Sequence, residues 1–74
     1  MKLKNLGANK TEIHKENGAV IFFSYETPVA AQLPRGGFVR TSTRYSVTTS
    51  KHINQWLDGA KAKEVDQSEI DALV

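Results

Sequence analysis

The sequence of 74 residues has no cysteine, which excludes disulfide bonds, thiolate zinc sites and cysteine nucleophiles. It also has no apolar run near the roughly 20 residues that a membrane-spanning helix needs. The longest such run, Ala19–Phe23, is as long as a strand. The start of the chain lacks the apolar region of a secretory signal peptide. These absences predict a cytoplasmic protein that does not contact a membrane.

Acidic residues are absent from the middle of the chain, residues 27–57. The cations of this segment are Arg35, Arg40, Arg44 and Lys51. Its formal charge is +4, against +1 for residues 1–26 and −3 for residues 58–74, and the whole chain carries +2. A segregated positive segment indicates an anionic partner.

The length predicts a single domain over residues 1–74. A chain this short has a net stability of roughly 3–5 kcal/mol and often gains more by pairing with a second copy or a partner. It has little room for a deep catalytic cleft. We therefore expect a protein that is not an enzyme.

The first half of the chain predicts two strands. Residues 1–9 form either a loose arm or an edge strand, and a weakly alternating strand follows over residues 10–15. Of two hairpin loops at Asn17-Gly18, we prefer Glu16-Asn17-Gly18, which places Ile13 opposite Ile21. The second strand runs to Gln32 and bends near Pro28, which has no amide proton to donate.

A third strand is predicted over residues 38–47, after a glycine turn at Gly36-Gly37. A four-residue turn at Pro34–Gly37 would pair odd positions of the second strand with even positions of the third. A bulge near Pro28 is then needed to keep the apolar faces of both strands on the same side of the sheet. The register around Pro28 and Pro34–Gly37 stays open. One face of the third strand carries Arg40 and Arg44, about 13–14 Å apart at the usual rise per residue.

Two helices complete the predicted fold. The first starts at a cap among Thr48, Thr49 and Ser50 and ends near Gly59. After a linker at residues 60–65, a capping box at Asp66 starts a short C-terminal helix. The pattern predicts an α+β fold, a three-stranded antiparallel sheet (β-β-β) followed by one packed helix and a short C-terminal helix, with both helices on one face. The expected core consists of Phe23, Tyr25, Val39, Tyr45, Trp56 and Leu57.

Two groups of residues are candidates for binding a partner or phosphate. The helix start offers hydroxyls and cations beside outward-pointing amides, namely Thr48, Thr49, Ser50, Lys51 and His52. Arg35, Arg40 and Arg44 suit a phosphate backbone or an acidic protein surface. Ordinary helix capping and a solvated sheet face explain the same residues.

Phe22 and Phe38 lie on the face opposite the main apolar face of the predicted sheet. Exposed aromatic side chains stack on unpaired bases or anchor protein interfaces. For a chain this small we favour the protein interface.

Metal and catalytic chemistry are poorly represented. The two histidines, His14 and His52, lie on different predicted elements, and a zinc site needs further ligands. The sequence has no glycine-rich phosphate loop and no nucleophile elbow. We expect no cofactor and no metal.

Two segments, Ser24–Ala31 and Arg40–Leu57, resemble a group of short bacteriophage and plasmid proteins of unassigned function, as does the start at Lys4–Gly7. The resemblance spans nearly the whole chain. It implies an origin on a mobile element and a cytoplasmic setting in the bacterial host, and it transfers no functional residues.

Two functions follow as expectations. The first is a small interaction protein that binds a host or defence macromolecule through the basic and aromatic surface. The alternative is a weak, salt-sensitive nucleic-acid binder that contacts phosphates through the same arginines.

Overall fold

A six-stranded mixed sheet forms the centre of the molecule in the computed structural model, which describes residues 2–74. The elements are β1 (Lys2–Gly7), β2 (Lys10–His14), β3 (Val20–Ser24), β4 (Thr27–Gln32), β5 (Phe38–Thr41), α1 (Val47–Leu57), β6 (Ala62–Val65) and α2 (Gln67–Leu73). The strands lie in chain order; β1 to β5 are antiparallel, and β6 pairs in parallel with β5. The α+β class is correct, but the three-stranded antiparallel sheet is wrong.

The segment expected to form one bent strand over residues 21–32 is a hairpin. Ser24 pairs with Thr27, so the chain reverses at Tyr25 and Glu26. Tyr25 has φ 58°, in the left-handed region that tyrosine rarely adopts. The backbone amide of Tyr25 donates to the carbonyl of Asn9 at 2.7 Å. A turn without glycine or asparagine gives little signal in a sequence, which is why this reversal was missed.

A bulge in β4 compensates for this short turn. The turn pairs odd positions with even ones, as in Phe23 with Pro28. The register then shifts, so that Phe22 pairs with Ala30 and Val29 is the extra residue. The bulge at Val29 therefore lies next to Pro28, where it was expected. The turn that makes it necessary is the one at Tyr25 and Glu26, however, and not the one at Pro34–Gly37.

Other parts of the predicted strand pairing are confirmed. Ile13 pairs with Ile21 and Thr11 with Phe23, as the Glu16-Asn17-Gly18 loop predicts.

The register left open at Pro34–Gly37 corrects an expectation. Gln32 pairs with Phe38, so even positions face even ones, whereas the turn was expected to pair odd positions with even ones. The reason is that the loop is one residue shorter than expected, since the amide of Leu33 donates to the carbonyl of Gly37.

The two ends of the chain supply the edge strands. Of the two alternatives for residues 1–9, the structure has the edge strand, β1. Residues 60–65, expected to be a linker, contain the other edge strand, β6. Parallel pairing needs a crossover between the strands, and α1 provides it. The exposed Lys63 and Glu64 hide this strand in the sequence.

The helices pack on opposite faces of the sheet, which corrects the expectation of one face. The cluster on the α2 face contains Ala19, Ile21, Ala31, Val39 and Ile70. The cluster on the α1 face contains Phe22, Val29, Ala30, Ile53 and Leu57. Both faces of the sheet are therefore apolar at its centre.

The expected positions of the aromatic residues are partly reversed. Phe22 is completely buried and stacks on Trp56 with ring centroids 5.1 Å apart. Phe38 is half-buried and meets the same indole edge-on at 5.8 Å. Tyr25 and Tyr45, expected in the core, are 50% and 46% exposed. The phenylalanines are covered because α1 packs on the face that was expected to meet solvent.

The start of α1 is held by hydroxyl groups. Its N-cap is Ser46, whose Oγ accepts from the amide of Thr49 at 3.0 Å; the cap expected among residues 48–50 is therefore wrong. The buried Ser24 Oγ lies 2.9 Å from His52 Nδ1 and donates to Thr49 Oγ1 at 3.3 Å. This network fastens the first turns of α1 to the end of β3.

Phe22→Ala should lower the free energy of unfolding by about 3–5 kcal/mol, because a buried ring and its stacking partner are lost. The control is Leu3→Ala, since Leu3 is 71% exposed and its truncation should change stability by less than about 0.5 kcal/mol. Urea denaturation followed by circular dichroism measures both variants. Equal stabilities would contradict the placement of α1 over Phe22.

Ser24→Ala should cost about 1–3 kcal/mol, because Thr49 Oγ1 and His52 Nδ1 lose their shared partner. Thr48→Ala is the matched control, because the Thr48 side chain is exposed in the same helical turn. Thermal unfolding compares the two. If both variants melt together with the wild type, the network does not hold α1 in place.

Candidate functional site

A cleft of about 260 Å³ opens where the chain leaves β5 and crosses to α1. It is lined by residues of β5, of the 42–46 loop, of α1 and of β6. We call it the arginine cleft and define it by Arg40, Thr43, Arg44, Ser50, Asn54 and Glu64. It lies at the carboxyl end of the parallel β5–β6 pair.

Arg40 and Arg44 reach this cleft by a route that the sequence pattern did not show. The predicted third strand placed both on one strand face, whereas β5 ends at Thr41. Beyond it, the amide of Thr43 donates to Thr41 Oγ1 at 3.1 Å. The loop then carries Arg44 past the start of α1, so both arginines line one concavity.

The guanidinium of Arg40 is only partly satisfied. Its Nη1 donates to Asn54 Oδ1 at 3.2 Å, and its Nε is buried without a hydrogen-bond partner. Glu64 is its neighbour in the β6 register. Within residues 2–74, no ion pair joins Arg40 or Arg44 to a carboxylate. Buried unpaired donors are rare in folded proteins, so the Arg40 Nε–H is a donor that still lacks an acceptor.

The residues expected at the helix start separate into three groups. Ser50 lines the cleft, and Thr49 lies buried beneath it, 5% exposed and bonded to Ser46 and Ser24. His52 is turned to the Ser24 network. Thr48 and Lys51 are exposed on the outside of the helix.

Arg35 does not belong to this site. It lies in the turn before β5, whereas the cleft follows the end of that strand. The four residues of β5 separate the two positions by about 13 Å.

Two tyrosines that sequence reasoning placed in the core stand beside the cleft. Tyr45 lines both the cleft and a neighbouring cavity of about 230 Å³, and Tyr25 lines that second cavity. Tyr25 also packs its ring against His52, with centroids 6.0 Å apart. A signal existed in the polar residues on both sides of Tyr45, Ser42–Arg44 and Ser46, which are typical of a loop.

We call the set Tyr25, Arg40, Arg44, Tyr45 and Ser50 the tyrosine–arginine surface. Phe22 and Phe38, the aromatics expected to contact a partner, are not part of it, since both pack against Trp56 under α1. The surface around the arginines is therefore aromatic as well as basic, but its aromatic residues are Tyr25 and Tyr45 instead of Phe22 and Phe38.

The pairing of Ser24 with His52 resembles an activated serine nucleophile. Ser24 is only 2% exposed, however, and it also bonds Thr49 beneath the first turn of α1. Over residues 2–74 there is no cluster of three or more potential metal ligands. In that same range no helix is long and apolar enough to cross a bilayer. The arginine cleft itself brings together Arg40, Arg44 and the Ser50 hydroxyl, which are groups that bind anions.

Comparison with known proteins identifies the family of this chain. The curated proteins contain no match to the chain, and the solved structures contain none either. The match to a family covers residues 1–72, nearly the whole chain. The chain belongs to the family of unknown function DUF8033.

Proposed function

We propose that this protein is a non-enzymatic nucleic-acid-binding protein that contacts phosphates through the arginine cleft. The observation that carries the proposal is the convergence of Arg40 and Arg44 on one concavity, with no ion pair to a carboxylate in residues 2–74. Guanidinium groups bind phosphate oxygens through paired N–H donors. Ser50 offers a hydroxyl at the same place.

Binding of this kind is weak and depends on salt. The protein supplies three cations for phosphate contacts, Arg40, Arg44 and the exposed Lys51. For three such contacts on a single strand, a plot of log affinity against log salt concentration has a slope of about −2. Tyr25 and Tyr45 add exposed rings on which bases can stack, and stacking depends less on salt than phosphate contacts do.

The double variant Arg40→Glu, Arg44→Glu should weaken binding to short mixed-sequence DNA at least about tenfold, because two charge-assisted contacts are lost. The control is Arg35→Glu with Lys61→Glu, which changes the net charge equally at the other end of β5. Light scattering with and without DNA, at low and at physiological salt, gives the mass of any complex. Equal losses in the two double variants would mean that net charge alone, rather than the cleft, binds DNA.

A protein partner is the second candidate function, and the exposed tyrosines favour it. Tyrosine and arginine dominate protein interfaces, and Val47, 75% exposed at the start of α1, adds an apolar contact beside them. In this version the partner is a host or defence protein with an acidic surface. An interface centred on Tyr25 and Tyr45 should survive high salt and nuclease treatment, whereas a phosphate-dominated complex should not.

The setting of the proposed function follows from the resemblance to phage and plasmid proteins. We propose that the protein is encoded on a mobile element and acts in the cytoplasm of a bacterial host. Expression from such an element during infection, together with fractionation of the host, would test both parts.

Pairing with a second copy through β6 is opposed by charge. A two-fold axis through an antiparallel pair brings residues of the same parity opposite each other. Whichever residue of β6 the two-fold axis passes through, two like charges then lie directly opposite each other. Examples are Lys63 opposite Lys63 of the second copy and Glu64 opposite Asp66. Like charges directly opposite destabilise a sheet, so we expect this edge to remain unpaired.

A further inference from the structure

We infer that the arginine cleft is a phosphate subsite for single-stranded nucleic acid, with Tyr45 as the platform for the neighbouring base. The inference rests on the proposed function and narrows it from nucleic acid in general to the single strand. Its basis is the juxtaposition of three residues around one small concavity: Arg40, whose buried Nε has no partner, Arg44 and the exposed Tyr45.

The size of the cleft favours one chemical group over a whole small molecule. Pockets for small ligands usually enclose at least about 300 Å³, whereas this cleft encloses about 260 Å³. Its lining is predominantly polar, with Thr43, Ser50 and Asn54 beside the arginines. A phosphate group that enters from a longer chain fits this description.

Arg40 is prepared for a bidentate contact. Its Nη1 donates to Asn54 Oδ1, and its Nε–H is buried without an acceptor. A phosphate in the cleft would accept from the Nε edge when the guanidinium turns toward it, and the adjacent N–H would supply the second bond. This pairing matches the geometry of guanidinium and phosphate. The anion would thereby relieve the unpaired donor.

Tyr45 connects this subsite to a place for a base. Tyr45 lines both the cleft and the neighbouring cavity, and Tyr25 also lines that cavity. A base next to the bound phosphate therefore has aromatic rings within reach. In a duplex the bases stack on each other and cannot use these rings, so the arrangement selects the single strand.

Inorganic phosphate tests the subsite directly. Titration into the 15N-labelled wild-type protein should shift the Nε–Hε resonance of Arg40 and leave that of Arg35 in place. Arg40→Lys keeps the charge but lacks the paired donors, and it should weaken phosphate binding about tenfold. Arg35→Lys is the control, because Arg35 lies at the other end of β5. An unmoved Arg40 resonance at saturating phosphate would overturn the subsite.

The role of Tyr45 as a platform for a base is tested by comparing a short single-stranded oligonucleotide with the duplex of the same sequence. The single strand should bind at least about fivefold more tightly than the duplex, since one stacked base contributes a factor of about five or more. Tyr45→Ala should remove that preference, while Tyr45→Phe, which keeps the ring, should restore it. Thermal unfolding verifies that both variants are folded, as expected for a side chain 46% exposed in a loop.

The outcomes separate this inference from the proposed function. Equal binding of duplex and single strand, with the Arg40→Glu, Arg44→Glu variant still defective, would overturn the single-strand inference and keep the proposed function. A shift of Arg40 by phosphate without binding of any oligonucleotide would overturn both the inference and the proposed function, and would favour an acidic or phosphorylated protein partner. A shift of Arg40 together with a Tyr45-dependent preference for the single strand supports the whole inference.

Discussion

The parity of the β3–β4 hairpin is the constraint on which the rest of the structure depends. A two-residue turn at Tyr25 and Glu26 pairs odd positions with even ones, and the extra residue Val29 restores like pairing. Without this bulge, one of the two strands would turn its buried side chains to the wrong face. With it, Phe22 and Ala30 meet α1, while Ile21 and Ala31 meet α2. A sheet with two apolar faces then requires a helix on each side.

The arginine cleft follows from how the chain satisfies that requirement. The crossover from β5 to β6 must pass over the Phe22 face, and the hydroxyls of Ser24 and Ser46 hold the start of α1 close to the strand ends. The loop before α1 therefore folds back over the carboxyl end of β5. Ligand sites of open α/β sheets also lie at the carboxyl ends of parallel strands.

Part of this arrangement could be predicted from the sequence. The Glu16–Gly18 hairpin with Ile13 opposite Ile21, the burial of Val39, and the grouping of Arg40 with Arg44 follow from turn chemistry, alternation and charge. The turn at Tyr25 could not be predicted, because its positive φ is imposed by the pairing of the strands on either side. β6 was missed because its exposed charges outweigh its short apolar pattern. Missing the turn placed Tyr25 in the core, and extending the third strand past Thr41 placed Tyr45 there. The phenylalanines were expected outside because both helices were placed on the other face of the sheet.

The placement of the helices also decides what the net charge means for binding. A net +2 on the whole chain suggests a weak field, and helices side by side on one face would bring the acidic α2 close to the arginines. In the structure the sheet stands between them, with Glu69 and Asp71 of α2 on the side opposite α1. Two packed layers separate the helices by about 20 Å, more than twice the screening length of about 8 Å at physiological salt. Among the residues that line the cleft, Glu64 is acidic and Arg40 and Arg44 are basic, so the lining has a local excess of cations.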